Sequence, residues 1–313
     1  MTIPTPASAL YQSHPRSFAD YRFVYPVLSR RSRGISVGVN LNPEQSCNFS
    51  CVYCQVERQK GTVGICRNDP QGASREKSAS QESGRSPFSR SDLAALAGEL
   101  DEMVELVVSG RLFQSAPFLD TPEPLRRFND IAVSGDGEPT AVALLPEVVE
   151  LCAEVRRRHR LDDVKLVLIT NGSLLHRQEV RRALAVLDAN NGEVWAKLDA
   201  GSEAYYKQVN RSHVPLGQIL DNLRQTARAR PIVIQSLFVR LEGQPPPPAE
   251  QAAYCERLGE IIAAGGQIKL VQIHSMARPG AENRAAPLAD DELQALAERV
   301  RRSTGLPVTA YPG

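Results

Sequence analysis

The sequence lacks any run of about 18 uninterrupted apolar residues, and it does not open on a basic-then-apolar stretch with a small-residue cleavage site. These absences argue against a membrane-spanning helix and a secretory leader, and a cytoplasmic location is expected. A surplus of one charge is also missing: 37 basic residues face 36 acidic ones, for a net charge of +1. No global field therefore marks a nucleic-acid or membrane-surface binder. Six cysteines in 313 residues are too few for a secreted disulfide framework. In a reducing compartment, clustered thiols read instead as metal ligands, and Cys47, Cys51 and Cys54 form such a cluster.

What is present is an apolar content of 42%, enough for one large α/β domain or two ordinary ones. Residues 1–34 carry prolines and aromatics (Tyr11, Phe18, Tyr21, Phe23, Tyr25) without helical or strand periodicity, and read as an arm laid over a domain surface. Residues 61–90 turn to Gly, Ser, Arg, Gln and Glu, the composition of a solvated, mobile insertion. Elsewhere, apolar runs rich in Val, Ile and Leu have the character of buried parallel strands: ISVGVNL (35–41), DIAVSG (130–135), KLVLIT (165–170), VWAKLD (194–199), PIVIQSLFV (231–239) and QIKLVQIH (267–274). Helices are predicted between and after them, over 91–109, 142–159, 176–189, 216–229, 249–264 and 290–302, with start signals at Ser91–Asp92 and Asp290–Asp291. This alternation specifies parallel strands joined by right-handed crossovers, as a curved barrel or an open sheet. In either, ligands gather at the carboxyl ends of the strands, which is where the notable residues fall.

After the first strand comes LNPEQSCNFSCVYCQ, which spaces Cys47, Cys51 and Cys54 as CxxxCxxC. Iron–sulfur cubanes are held by cysteine thiolates, usually four. Three on one short loop reach three corners and leave the fourth iron open, as open coordination positions do in catalytic zinc sites. The alternative is a zinc site completed by Cys66 or a histidine, although the second half of a zinc pair is missing from the sequence. Cys66 lies in the polar insertion, and Cys152 and Cys255 sit within amphipathic helices as small core residues.

Polar residues follow the other strands. SGDGEPT (134–140) offers glycines that permit close approach to backbone and a carboxylate suited to an ammonium. TNGSLL (170–175) is either a ligand-binding strand end or a turn and helix cap. In KLDAGS (197–202), Lys197 and Asp199 share a face, and each must pair with the other or with a ligand to be buried. Gln235 and His274 interrupt apolar runs, and Arg278 just beyond is suited to a carboxylate or phosphate. Basic clusters at Arg30, Arg31 and Arg33 and at residues 156–160 read as solvated groups, the second at a helix carboxyl terminus.

CxxxCxxC with an aromatic residue, Tyr53, just before its last cysteine resembles the signature of the radical S-adenosylmethionine (SAM) enzymes. The resemblance implies a partial (β/α)6, TIM-like barrel of six parallel strands over 35–313, preceded by the arm. It implies an oxygen-sensitive [4Fe-4S] cluster on Cys47, Cys51 and Cys54, whose open iron is chelated by the amino and carboxylate groups of SAM, with Tyr53 near the adenine. SGDGEPT is similar to the family's GGE motif, which binds the methionyl ammonium: Gly137 and Glu138 match, Asp136 stands where the first glycine often is, and Gly135 adjoins it. Thr170, Asn171, Lys197, Asp199, Gln235 and His274 are the further SAM contacts expected, to ribose hydroxyls or the methionyl carboxylate.

The similarity is closest to the short prokaryotic proteins related to the tRNA wyosine-synthesis (4-demethylwyosine synthase-like) radical enzymes. It runs through SRRSRGISVGVNL, SGDGEPT, LITNGSLL, KLDAGSEAYYKQVNR and VQIHSMARP, while the 61–90 insertion departs from that branch. No cysteine precedes Cys47, so a second cluster is not expected, and a one-electron donor such as flavodoxin or ferredoxin is implied. The implied reaction is cleavage of SAM to a 5′-deoxyadenosyl radical that abstracts hydrogen from a small molecule, nucleotide or peptide; its subclass among oxidoreductase, lyase and transferase is open. One alternative makes the substrate tRNA, with the Arg30, Arg31 and Arg33 patch and the insertion on phosphates. The other is a zinc-binding module without catalysis.

Overall fold

The computed structural model of the chain describes residues 10, 16–42, 45–56 and 88–312. The six apolar runs form strands, and two further strands extend the sheet. In chain order the main elements are β1 (Val24–Ser29), β2 (Gly34–Val39), α1 (Arg90–Val108), β3 (Phe128–Val133), α2 (Leu145–Arg158), β4 (Lys165–Thr170), α3 (Gln178–Asp188), β5 (Gly192–Lys197), α4 (Glu203–Val209), α5 (Leu216–Ala229), β6 (Ile232–Leu237), β7 (Val239–Leu241), α6 (Pro248–Ala263), β8 (Ile268–His274), β9 (Ala285–Pro287), α7 (Asp290–Thr304) and β10 (Val308–Tyr311). The eight-stranded sheet has the order β1-β2-β3-β4-β5-β6-β8-β10, and β7 pairs separately with β9. From β2 to β10 every pairing in the main sheet is parallel; β1 alone is antiparallel, to β2. The sheet curls into a half-barrel, the partial TIM-like form expected.

Three features differ from the sequence reading. The segment taken as an arm contributes β1, whose Pro26 removes a backbone donor and is tolerated because β1 is an edge strand. A proline amid mixed aromatics hid the strand. Helix α4, of seven residues, was not expected, and Ser202 caps it by accepting from the Tyr205 N–H. The cap of α1 is Ser89 rather than Ser91: Asp92 Oδ2 accepts from the Ser89 backbone N–H at 2.8 Å and from its hydroxyl at 2.7 Å. Most of residues 1–23, and residues 57–87, which take in all but the last three positions of the insertion predicted at 61–90 and include Cys66, lie outside the described residues. The basic run at 156–160 does end a helix, with Arg156 buried and donating from Nε to the Val164 carbonyl at 2.7 Å.

Strand alternation divides the side chains between two faces. Ile35, Val37 and Val39, Ile131 and Val133, Leu166 and Leu168, Ile232 and Ile234, and Val271 and Ile273 all enter the large core shared with the helices. Each full burial of such a side chain contributes roughly 1.5–3 kcal/mol. The opposite face builds the barrel interior, where Ala132, Val167, Trp195 and Val233 form a separate buried cluster. β1 is locked to this interior through Gly38. A Cβ built there would lie 2.3 Å from Cζ of Tyr25, so the Tyr25 ring occupies the volume a side chain would take.

Gly38→Ala is therefore expected to destabilise the protein by about 1–3 kcal/mol through overpacking, measured by urea unfolding. Adding Tyr25→Leu should recover part of that loss, whereas an additive double variant would show that the ring contact is not its source.

Candidate functional site: a cysteine loop over a polar cavity

The loop at 45–56 leaves the carboxyl end of β2 and is fixed by backbone bonds from three directions. Ser50 and Val52 donate to the carbonyls of Asn210 (3.1 Å) and Val209 (2.9 Å), Ala281 donates to the carbonyl of Cys54 (2.8 Å), and Glu138 donates to that of Ser46 (3.1 Å). Arg211 reinforces the first anchor: its Nε donates to the Ser50 carbonyl at 2.6 Å while its other nitrogens pair with Glu282. Cys47, Cys51 and Cys54 are half-buried and line one cavity of about 330 Å³ in the half-barrel. The Phe49 N–H points to Cys47 Sγ at 3.4 Å and the Asn210 amide to Cys51 Sγ at 3.5 Å. Burial pushes the Cys51 thiol up, and the Lys197 charge with the Tyr53 and Asn210 donors pulls it back.

Among the described residues no three Cys, His, Asp or Glu side chains converge closely enough to cage a single ion. A cubane makes a different demand, because its thiolates attach to separate irons. Three cysteines lining one cavity have the donor chemistry for that group.

The SGDGEPT turn packs against the cysteine loop. Gly137 is required by protein backbone and not by a ligand, since a Cβ there would meet the Ser46 carbonyl at 2.0 Å; Gly135, at φ +149°, faces the Asn40 side chain in the same way. Asp136, read as a ligand contact, instead pairs with Arg16 and accepts from Asn40 Nδ2 at 2.7 Å. Glu138 is 3% exposed. Its Oε1 accepts from the Thr140 N–H (3.1 Å), the Thr140 hydroxyl and the Thr170 hydroxyl (2.6 Å), and its Oε2 accepts from the Asn171 N–H (2.8 Å). Burial lifts this carboxyl above the usual range, and the four donors oppose the shift. The carboxylate thus joins β3 to the end of β4. Asn171 continues the chain of contacts, donating from Nδ2 to Asn48 Oδ1 at 2.8 Å within the cysteine loop.

Lys197 and Asp199 do pair, at 3.5 Å. Asp199 also accepts from the Tyr53 hydroxyl, from Asn210 Nδ2 at 2.8 Å and from the Leu237 N–H at 2.9 Å, while Lys197 Nζ lies 4.6 Å from the centroid of the Tyr53 ring. Burial first, then the Asp199 charge, holds the Tyr53 phenol well above its ordinary value. Both Asp199 oxygens are committed to protein donors, so a role as ribose acceptor is not what its contacts display. Gln235 donates to Gln272 at 3.2 Å and lines the cavity. His274 lines it too, and its Nδ1 is buried without a hydrogen-bond partner among the described residues; so are Nε and Nη1 of Arg278. Those orphaned atoms are what a bound polar ligand would satisfy.

Sequence reasoning missed five participants. Asn210 sits just past α4, and its amide reaches both Cys51 and Asp199. Arg16 and Asn40 hold Asp136. Arg31, read as part of a solvated patch, lines the cavity with Arg30 and stacks 5.6 Å from the centroid of Trp195; Arg33 is exposed.

No protein-family model matches the chain. A solved radical SAM methyltransferase from Sphaerobacter thermophilus superposes with a TM-score of 0.54 over 92% of this chain and 69% of its own, at 13% identity. The chain shares the fold of that enzyme. Among curated proteins, a UPF0026 protein of Methanocaldococcus jannaschii is 27% identical over 205 residues, covering 63% of this chain and 46% of its own length. A protein named GTPase Obg, from Brachyspira hyodysenteriae, is 25% identical over 186 residues, 59% of this chain but 20% of its own length. The chain thus spans less than half the length of these relatives. Within this fold, the cysteine loop and the SGDGEPT, TNGSLL and KLDAGS turns all lie at carboxyl ends of consecutive parallel strands.

Removing one partner of a buried ion pair strands the other, so Asp199→Ala is expected to cost about 3–5 kcal/mol in urea unfolding. Pairing it with Lys197→Met should restore part of that loss; equal instability of single and double variants would place the cost elsewhere in the network.

Proposed function

We propose that the chain is a radical SAM enzyme in which Cys47, Cys51 and Cys54 hold a [4Fe-4S] cluster. The observation that carries this reading is the CxxxCxxC loop with its three cysteines facing a single polar cavity at the carboxyl ends of a curled parallel sheet. When bound, cluster and SAM supply a one-electron reductive cleavage that yields methionine and a 5′-deoxyadenosyl radical able to take hydrogen from a substrate. The amides of Asn210 and the Phe49 backbone favour anionic sulfur at Cys51 and Cys47, a lever on cluster potential. Glu138 sets the edge formed by residues 135–138 and 170–171, on which the methionyl group of SAM would rest. Arg278, with unpartnered nitrogens near the cysteine loop, supplies a cation for its carboxylate. Electrons come from an external donor such as flavodoxin or ferredoxin, and the substrate is a small molecule, nucleotide or peptide. That no helix is long and apolar enough to cross a membrane, among the described residues, is compatible with this.

Anaerobic reconstitution should load about four irons and four sulfides per chain, and reduced protein should release 5′-deoxyadenosine from SAM. Alanine at Cys47, Cys51 or Cys54 is expected to abolish both the brown chromophore and deoxyadenosine formation. One zinc per chain and no colour would end this reading in favour of a zinc module. Glu138→Gln is expected to keep its iron while SAM binding weakens about tenfold, a loss of about 1.4 kcal/mol, read by equilibrium dialysis.

A further inference from the structure

Arg31 carries a charge into the half-barrel from the end opposite the cysteines. It belongs to the turn between β1 and β2, and the cysteine loop starts only after the six residues of β2, roughly 20 Å of extended chain. Its guanidinium does not stay at the mouth. It stacks 5.6 Å from the Trp195 centroid, and Trp195 belongs to the interior cluster with Ala132, Val167 and Val233.

Arg31 is half-buried; withdrawing a guanidinium from water is costly unless an anion meets it, and burial first, then the adjacent Arg30, lowers its pKa. Among the described residues Arg31 makes no ion pair. Asp130, whose field opposes that lowering, accepts from the Ser36 hydroxyl. The other cavity cations are differently placed: Lys197 has Asp199, Arg16 has Asp136, Arg30 donates to the Pro312 carbonyl, and Arg278 lies beside the cysteine loop, two residues before Gly280, which packs on the Tyr53 backbone. His274 completes the wall. It is 8% exposed and its Nδ1 has no partner among the described residues. Burial and then the fields of Arg31, Lys197 and Arg30 hold its imidazole well below the ordinary value, against a hydrogen bond with the Gln272 backbone, and a neutral ring offers a ligand one nitrogen as donor or acceptor.

We propose that the barrel interior takes a small anionic substrate, a phosphate ester or a carboxylate, whose oxyanion is met by Arg31 and His274 and whose body lies against Trp195. Calling this ligand the substrate rests on the radical SAM reading, but the site itself requires neither cluster nor SAM. SAM's own carboxylate has Arg278 at the other end. A large nucleic acid is not what this site fits, because the arginine that would have faced phosphate on the surface is turned inward.

Trp195 is the sole tryptophan of the chain, so its emission reports the cavity directly. Metal-free protein is titrated at constant ionic strength with ribose 5-phosphate and inorganic phosphate in one arm, succinate and 2-oxoglutarate in the other, and neutral ribose as control. A saturable change with the anions of at least one arm, absent with ribose, is expected, and the responding arm identifies the oxyanion. Arg31→Gln should weaken it at least tenfold and His274→Ala severalfold, while the exposed Arg33→Gln binds as wild type. Arg31→Lys, which keeps the charge and loses the planar fork, should bind with intermediate affinity and serves where the glutamine variant does not fold. Silence in both arms, or unaltered binding by the Arg31 variants, overturns the proposal. Iron and deoxyadenosine do not enter this readout. Anion binding by a chain that takes up no iron would sink the radical SAM reading and leave the site, and a loaded, SAM-cleaving chain blind to anions would do the reverse.

Discussion

A single buried carboxylate, that of Asp199, holds the upper end of the half-barrel together. Its two oxygens gather the Tyr53 hydroxyl from the cysteine loop, the Asn210 amide from beyond α4, the backbone N–H of Leu237 from β6 and the Lys197 ammonium from β5. A carboxylate without such donors would cost several kcal/mol to bury. With them, its burial becomes a reason for the loop to adopt one position. Tyr53 and Asn210 also adjoin Cys51, so the orientation of that sulfur is coupled to the same charge.

Glu138 plays the corresponding part on the β3–β4 side. It draws four donors from residues 140, 170 and 171, and Asn171 passes the connection to Asn48 in the cysteine loop. The glycines flanking it serve the same end, letting Ser46 and Asn40 come closer than any Cβ would allow. The loop is thus braced at both ends of the row of strand termini by carboxylates facing inward to protein. That arrangement leaves the thiols, the backbone edges and the unpartnered nitrogens of His274 and Arg278 to face the cavity. Rigid support behind a reactive group, with its open valences turned to the ligand, is the arrangement that positioning chemistry requires.

The parallel strands were legible because Val, Ile and Leu runs buried on both faces need no partner information to be recognised, and DIAVSG, KLVLIT and QIKLVQIH became β3, β4 and β8 with small shifts. β1 was not legible: Pro26 is a strand breaker by composition, and only its edge position makes it acceptable. The cysteine spacing identified a loop and a likeness, because three thiols at fixed intervals are rare by chance. The roles of the other polar residues were harder to read. Asp136, Glu138 and Asp199 are of the type a ligand would choose, yet a buried carboxylate is equally satisfied by protein donors, and sequence does not say which donors arrive. Arg31 was misread for the mirror-image reason. A basic cluster in a turn is normally solvated, and nothing local signals that the turn opens into a barrel interior with an indole ring to stack on.

Polarity in the barrel therefore follows from topology. The face packed on helices is satisfied by aliphatic residues, as the continuous Ile and Val positions of β2, β6 and β8 show. The inner face of a half-barrel has no second sheet to fill it, so residues that would be expensive in a closed core find room there, among them Ser36, Asp130, Lys197, Gln235 and His274. Each polar group placed on that face must meet another or wait for a ligand. The pairs Lys197–Asp199, Gln235–Gln272 and Ser36–Asp130 follow the first course. His274 Nδ1 and the Arg278 nitrogens follow the second, lining the one cavity onto which Arg31 and the three cysteines also open.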